Sequence, residues 1–169
     1  SIHHVAGNVH YLQGRGGNIG LSIGEDGVVM IDDQFAPLTD RIVSAIGEVS
    51  NGDIRFLINT HVHPDHTGGN ENLGKMGVVI LAHDRVRVRL ASRLPEVALP
   101  VLTYSDTATI HLNSEQVHAF PVPPAHTDGD SFIHFRGSNV LHLGDVFRTV
   151  AFPVIDTNNG GPLKGTVAA

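Results

Sequence analysis

Cysteine is absent from this chain of 169 residues. Its absence excludes disulfide bonds, zinc sites built from thiolates and a cysteine nucleophile, but it does not identify a cellular compartment. The chain also lacks an apolar run of the roughly 18 to 20 residues that a membrane-spanning helix needs, so we expect no membrane partner. Acidic residues outnumber basic ones, and the resulting net charge of −6 argues against nucleic acid as a partner.

The rest of the composition is typical of a globular protein. Apolar residues make up 41% of the chain, which gives no signal of disorder. The length fits one domain with a sizeable core, so we expect residues 1–169 to form a single unit. The chain opens at Ser1 without a basic or apolar leader, as expected of a trimmed chain or of a mature form after signal removal. A periplasmic, secreted or cytoplasmic location is therefore left open.

The densest group of candidate ligands follows an apolar run at residues 55–59 that is typical of a buried strand. His61 and His63 lie two residues apart, so in extended backbone their side chains point the same way and can reach one point. Pro64 ends the strand, and Asp65 and His66 then lie in a turn, where their side chains can reach a second point. Neutral imidazole and carboxylate are the usual ligands of Zn²⁺ and similar divalent ions.

The pattern His61-x-His63-x-Asp65-His66 resembles the metal-binding signature of the metallo-β-lactamase superfamily. The resemblance extends to His126, within Pro-Ala-His-Thr-Asp-Gly-Asp, and to Asp145, which follows Gly at the end of a later predicted strand. It implies an α/β fold, the αββα sandwich in which mostly antiparallel or mixed sheets are covered by helices.

The same resemblance implies a role for each of these residues. His61, His63 and His126 would bind a first zinc ion, and Asp65, His66 and Asp145 a second, although other divalent metals are possible. Zinc lowers the pKa of bound water towards about 7 and so provides hydroxide at neutral pH. Asp65 would orient that hydroxide and carry a proton to the leaving group.

The sequence departs from the family pattern at its C-terminal end. The family supplies one more histidine to the second site from a later strand, but no histidine follows His142 here. We therefore expect the C-terminal part of the fold to be missing and the second metal site to be weak or incomplete. If the site is complete, His142 or a partner chain must supply the ligand.

These observations predict a zinc-dependent hydrolase that uses metal-bound hydroxide to cleave a small ester, thioester, lactone or lactam. A carboxylate at Asp145, where some β-lactamases carry cysteine, favours the broader hydrolases. Arg148 favours the alternative of a true β-lactamase, because some of those enzymes place a lysine at this offset to hold the substrate carboxylate. A metal-binding protein with little turnover is the third alternative. In each case the expected partner is a small molecule, and the oligomeric state is left open.

Hydrophobic patterning predicts the remaining elements. An amphipathic helix is expected at residues 37–49 and a short helix at residues 70–75. Strands are expected at residues 5–13, 19–23, 28–31, 55–59, 78–82, 107–112, 115–122, 131–135 and 139–143.

Two further features of the sequence leave alternatives open. Either Asp32 or Asp33, at the end of a predicted strand, could hold a histidine N–H from behind the metal site, or both could simply cap a turn. A basic segment beginning at His83 carries Arg85, Arg87, Arg89 and Arg93, and it could be an anion-binding face or a solvated helix face.

Overall fold

Two β-sheets pack against each other in the computed structural model, which describes residues 1–149 and 151–169. In these residues a seven-stranded sheet has the order β1 to β7, and a four-stranded sheet the order β11-β10-β9-β8. The strands are β1 (Ile2–Ala6), β2 (Val9–Gln13), β3 (Asn18–Gly24), β4 (Gly27–Ile31), β5 (Ile54–Asn59), β6 (Val79–His83), β7 (Leu102–Tyr104), β8 (Ala108–Leu112), β9 (Glu115–Pro121), β10 (Ser131–Phe135) and β11 (Val140–His142).

The larger sheet is mixed and the smaller one antiparallel. Strands β1 to β4 are joined by antiparallel pairing, whereas β4, β5, β6 and β7 run parallel. The helices are α1 (Thr39–Gly47), α2 (Pro64–Thr67), α3 (Asn70–Lys75), α4 (Asp84–Leu90) and α5 (Leu163–Ala168). Parallel strands need crossover connections, and α1 and α3 provide them between β4, β5 and β6. None of the helices in the described ranges is long and apolar enough to cross a bilayer.

The apolar residues of the larger sheet serve two cores because the sheet is covered on both faces. Val29, Ile31 and Ile58 face the smaller sheet and pack with Ile133 and Phe135. On the opposite face, residues such as Met30 and Leu57 pack against Ile42 and Ile46 of α1 and Leu73 of α3. Adjacent residues of β4 and of the central part of β5 therefore alternate between two apolar layers, which explains why β4 and residues 56–58 are apolar without interruption.

Strand β5 brings the histidine cluster to the carboxyl edge of the parallel strands. Residues 57–63 are buried or half-buried, and Pro64 sits at the start of α2, where its missing N–H costs nothing. Gly68 and Gly69 then lead into α3 where space is tight, because a Cβ on Gly68 would lie 2.5 Å from the Pro64 carbonyl oxygen. The turn after β5 is thus fixed by close backbone packing.

Several predicted elements differ from those observed. The single strand expected at residues 5–13 is wrong, because Gly7, in left-handed backbone at φ 54°, reverses the chain and produces β1 and β2. The short strand β7 was not predicted. The helix expected at residues 37–49 is confirmed as a 3₁₀ turn at Ala36–Leu38 followed by α1. The basic segment contains α4, and Arg93 lies beyond the end of that helix. The three arginines of α4 pair with acidic side chains: Arg85 and Arg89 with Asp128, and Arg87 with Glu96.

Replacing Ile58 by alanine should destabilise the fold by about 2–5 kcal/mol, the usual range for emptying a well-packed core position. Ile58 is 0% exposed and lies between the two sheets, directly ahead of the histidine cluster. Urea unfolding followed by circular dichroism measures the change. Val88→Ala is the matched control because Val88, on α4, is 73% exposed and should shift stability by less than about 0.5 kcal/mol. Equal effects of the two substitutions would contradict this packing.

Candidate metal centre

Three histidines converge where β5 ends against the loop that precedes β10. Nδ1 of His63 lies 3.1 Å from Nε2 of His61 and 2.9 Å from Nε2 of His126. One ring nitrogen from each residue falls within 4.8 Å of the other two, close enough for a single ion to bind all three. The geometry thus brings together the three residues that the sequence predicted as ligands of the first metal.

The opposite ring nitrogen of His61 is held by a relay to a carboxylate. The hydroxyl group of Thr60 donates to Asp32 at 2.8 Å, so its oxygen is left to accept a hydrogen bond from Nδ1–H of His61 at 3.0 Å. Asp32 also accepts from the Thr60 backbone N–H at 2.7 Å. Because Nδ1 of His61 carries the proton, its Nε2 has a free lone pair.

The other two histidines are held in the same manner by the C-terminal segment. Nε2–H of His63 donates to the carboxylate of Asp156 at 2.7 Å, and Nδ1–H of His126 donates to the backbone carbonyl of Val154 at 2.6 Å. A carboxylate and a carbonyl can only accept, so each histidine carries its proton on the nitrogen that points away from the cluster.

Three unprotonated nitrogens therefore face one another at the centre of the cluster. Lone pairs cannot hydrogen-bond to lone pairs, so the short distances between these nitrogens leave all three without a partner unless a cation sits between them. Burial, and then the neighbouring histidines, lower the pKa of His61 well below its usual range, which opposes relief by protonation. This donor set fits a divalent ion such as Zn²⁺, the ion that the resemblance implies.

A second group lies beside the first and contains His66 and Asp145. Nε2 of His66 lies 3.4 Å from a carboxylate oxygen of Asp145 and 3.6 Å from one of Asp65. His61, His66 and Asp145 each offer a ligand atom within 4.8 Å of the others. The two groups adjoin, since Nε2 of His126 is 3.9 Å from the other carboxylate oxygen of Asp145.

His66 is oriented by the same carboxylate that supports His61. Its Nδ1–H donates to Asp32 at 2.7 Å, while its buried Nε2 has no hydrogen-bond partner among the residues that the structure describes. Burial lowers the pKa of His66, but the charge of Asp32 and the polar contacts with Asp145 and Asp32 outweigh it and raise the pKa to about 10. A divalent ion would take the place of the proton at Nε2, so the orphaned nitrogen fits a second metal.

The structure distinguishes between the two acidic residues after β4. Asp32 accepts directly from the ring of His66 and supports the ring of His61 through the Thr60 hydroxyl group. Asp33 instead accepts a hydrogen bond from the Gly69 N–H at the start of α3, and burial raises its pKa well above the usual range. Of the alternatives left open by the sequence, the supporting role therefore falls to Asp32 and the structural role to Asp33.

A cavity of about 640 Å³ adjoins the second group. Asp65, with its side chain 30% exposed, lies on the wall with His66 and Asp145, and Arg15 and Arg148 add positive charge. The remaining lining residues are Gly16, Gly17, Asn18, Leu141, His142, Leu143, Gly144, Phe147 and Thr149. This opening gives a small molecule access to the candidate metal ligands.

His142 lies on the cavity wall, but both of its ring nitrogens bind backbone groups. Its Nε2 donates to the Asn18 carbonyl at 3.1 Å, and its Nδ1 accepts from the Gly144 N–H at 3.3 Å. Within residues 1–149 and 151–169, His142 belongs to neither group of candidate ligands. The geometry therefore argues against His142 as the additional ligand of the second site.

The loop at residues 14–17 closes one side of the cavity and is held by a single buried side chain. The amide of Gln34 accepts from the Gly16 N–H at 2.7 Å and donates to the Gly17 carbonyl at 2.7 Å. The loop lies so close to Asp65 that a Cβ on Gly16 would be 2.5 Å from the Asp65 Cβ. Gln34 has left-handed backbone at φ 62°, a conformation uncommon outside glycine that is often found at functional sites.

The sequence did not reveal the groups that hold His63 and His126 from behind. Asp156 lies in a C-terminal stretch without periodicity, and its distance in sequence from His63 gave no reason to pair them. Val154 contributes a backbone oxygen, which no residue type can signal. The one sequence feature that could have pointed to Asp156 is its place between Pro153 and two asparagines, because turns of this composition can hold a carboxylate in a fixed direction.

Comparisons with known proteins agree with this geometry. The sequence profile of the metallo-β-lactamase superfamily matches residues 12–167. A hydroxyacylglutathione hydrolase from Gloeobacter violaceus is 33% identical over 91 residues, which are 53% of this chain and 33% of that protein. Its counterpart from Pelagibacter ubique is 29% identical over 99 residues, 58% of this chain and 38% of that protein. The chain thus matches little more than a third of the length of these curated relatives.

Solved structures show the same fold. A metallo-β-lactamase from Pontibacter korlensis superimposes with a TM-score of 0.81 at 18% identity, covering 98% of this chain and 80% of that one. The DIM-1 metallo-β-lactamase superimposes with a TM-score of 0.74 at 19% identity, covering 90% of this chain and 72% of that one. Identities this low show the fold alone. Together with the profile match over nearly the whole length, they establish that this chain belongs to the metallo-β-lactamase superfamily.

Proposed function

We propose that this chain is a metal-dependent hydrolase that binds two divalent ions, preferably zinc, and cleaves a small ester or thioester. The observation that carries the proposal is the convergence of three imidazole lone pairs beside the orphaned Nε2 of His66. His66 also lines a cavity open to small molecules. Membership of the superfamily and the curated relatives support hydrolysis in general.

Each proposed ligand has a distinct part in this assignment. His61, His63 and His126 would hold the first ion, and His66, Asp145 and Asp65 the second. Zinc in such a site supplies Lewis acidity and brings the pKa of water near 7. Burial raises the pKa of Asp145, but the polar contact with His66 at 3.4 Å and the charge of His66 outweigh it and hold that pKa below the usual range. Asp145 therefore stays ionised as an oxygen donor.

Asp65 is the residue best placed to handle protons during hydrolysis. It lies on the cavity wall between the candidate ligands and solvent, and the loop at residues 14–17 limits its movement. An ionised carboxylate there can orient the attacking water, accept its proton and pass that proton to the leaving group. No nucleophilic side chain is needed for this route.

Two observations bear on the substrate. The curated relatives are named for hydrolysis of hydroxyacylglutathione, a thioester, and this favours a thioester over a lactone or lactam. Arg148 favours β-lactamase activity as the second candidate because its guanidinium lies at the cavity that exposes Asp65, within reach of a substrate carboxylate.

Protein purified without chelator should contain at least about one zinc or iron-group ion per chain, as measured by elemental analysis. Added zinc should bind in two steps, the second weaker because its proposed donors include only one imidazole. His126→Ala should lose the tighter of the two zinc-binding steps, because it removes one of the three converging nitrogens of the first site. His142→Ala should keep both, because that ring binds backbone groups. Loss of metal from the His142 variant but not the His126 variant would overturn this ligand assignment.

Asp65→Asn should lower kcat by about 10²-fold or more, because the amide keeps the shape but cannot accept a proton. The first metal should remain bound, as shown by elemental analysis of the same sample. Asp106→Asn is the matched control, being an exposed aspartate before β8 and away from the cavity. A variant at residue 65 with unchanged turnover would remove Asp65 from the mechanism.

The zinc-loaded protein should hydrolyse acyl thioesters faster than a chromogenic cephalosporin. Rates for both substrate types, measured as kcat/KM on one preparation, separate the two candidate activities. Arg148→Ala should weaken the cephalosporin reaction most if that guanidinium holds a carboxylate. Turnover of neither class by protein with both metals bound would favour a metal-binding protein without hydrolase activity.

A further inference from the structure

Residues 154–161, which we call the clasp, make a continuous set of contacts with two of the three proposed ligands of the first metal. The Val154 carbonyl accepts from His126, and the Asp156 carboxylate accepts from His63. In addition, the Asp156 N–H donates to the His126 carbonyl at 3.0 Å. Close packing continues at Gly161, where a Cβ would lie 2.2 Å from that same carbonyl oxygen.

The carboxylate of Asp156 is itself held in a fixed direction. One oxygen accepts from the backbone N–H groups of Asn158 and Asn159 at 3.0 and 3.2 Å. The other, which faces His63, also accepts from the side-chain amide of Asn159. A carboxylate oxygen accepts and does not donate, so the proton in the contact with His63 belongs to Nε2 of that ring. A carboxylate aimed in this way specifies both the tautomer and the ring orientation of its histidine.

The clasp is tied in turn to helix α4. The side-chain oxygen of Asn159 accepts from Arg93 at 3.2 Å and from Arg89 at 3.4 Å, and the Asn159 carbonyl accepts from the Asp128 N–H at 2.9 Å. Arg89 also makes a two-pronged ion pair with Asp128, at 2.7 and 2.8 Å. Arg89 of α4 and Arg93, three residues beyond the end of that helix, therefore both contact the asparagine that holds Asp156.

We propose that the clasp sets the tautomers of His63 and His126, that Asp156 and Asn159 are positioning residues for the first metal, and that α4 adjusts metal affinity through them. This inference rests on the proposed metal site. Asp156 fixes Nε2–H on His63, which keeps the Nδ1 lone pair directed at the cluster. Without this carboxylate both tautomers become accessible, and one of them points an N–H at the metal position.

Asp156→Ala should weaken the first zinc site by about 10- to 100-fold, the usual effect of removing a carboxylate behind a histidine ligand. Chelator-competition titration measures the affinity. Asp156→Asn should weaken it less, because an amide oxygen can still accept from His63. Asn159→Ala should also have a smaller effect, because it keeps the carboxylate and its contact with His63, and removes one side-chain donor to Asp156 together with the contacts to Arg89 and Arg93. Asp106→Ala is the matched control and should bind zinc like the unsubstituted chain.

A second measurement separates positioning from general loss of structure. In the metal-free protein, ¹⁵N NMR of the histidine rings should show His63 as a single tautomer protonated at Nε2. Asp156→Ala should give a mixture of tautomers at His63 while leaving His61 unchanged. An Asp156→Ala protein that keeps the single tautomer at His63, or that binds zinc within twofold of the unsubstituted chain, would overturn the proposal.

The two proposals fail in different ways. If the unsubstituted chain takes up no zinc, the proposed function is wrong, while the tautomer of His63 in the metal-free protein still tests the clasp. If zinc binds and catalysis proceeds but Asp156→Ala changes neither affinity nor tautomer, only the clasp is wrong. Should Asp156→Ala fail to fold, Asp156→Leu, which also lacks an acceptor for His63 but fills the space of the side chain, decides by the same two readouts.

Discussion

The candidate metal centre of this protein depends on which ring nitrogen of each histidine carries the proton. Four imidazoles meet at one edge of the larger sheet, and each has an acceptor on the side away from the centre: a hydroxyl group, a backbone carbonyl, or the carboxylates of Asp32 and Asp156. Since an imidazole with one nitrogen committed as a donor presents a lone pair at the other, the outer contacts decide what the inner space can bind. The apolar layers matter to the site because they hold these acceptors in place.

Candidate ligands could be predicted from the sequence where they lie close together in the chain or where they belong to the family motif. The spacing of His61 and His63 correctly predicted that both side chains reach one point, although β5 ends at Asn59 and the two residues lie in the bend that follows it. His126 and Asp145 were found through the resemblance and not through spacing. Spatial proximity of all these residues is now observed, while their binding of metal stays a prediction.

The sequence could not predict what depends on unusual backbone conformations or on long-range pairing. Asp32 and Gln34 both have left-handed backbone at φ 62°, so simple alternation at the end of β4 cannot say whether Asp32 or Asp33 faces the histidines. The arginines of the basic segment suggested an anion-binding surface or a solvated face because two of their partners, Asp128 and Asn159, lie far along the chain. Apolar periodicity carries no information about such pairs.

The contacts that shape the metal centre also join distant parts of the chain, and this has a consequence for folding. The pairing of His63 with Asp156 spans 93 positions, that of His63 with His126 spans 63, and that of His66 with Asp32 spans 34. Closing loops of this length costs chain entropy that only the nearly complete fold repays. We therefore expect the full set of donors to come together late in folding, after both sheets have associated. A metal ion that needs every donor would bind the native state and not partly folded states. Its binding free energy would therefore add to the stability of the native state.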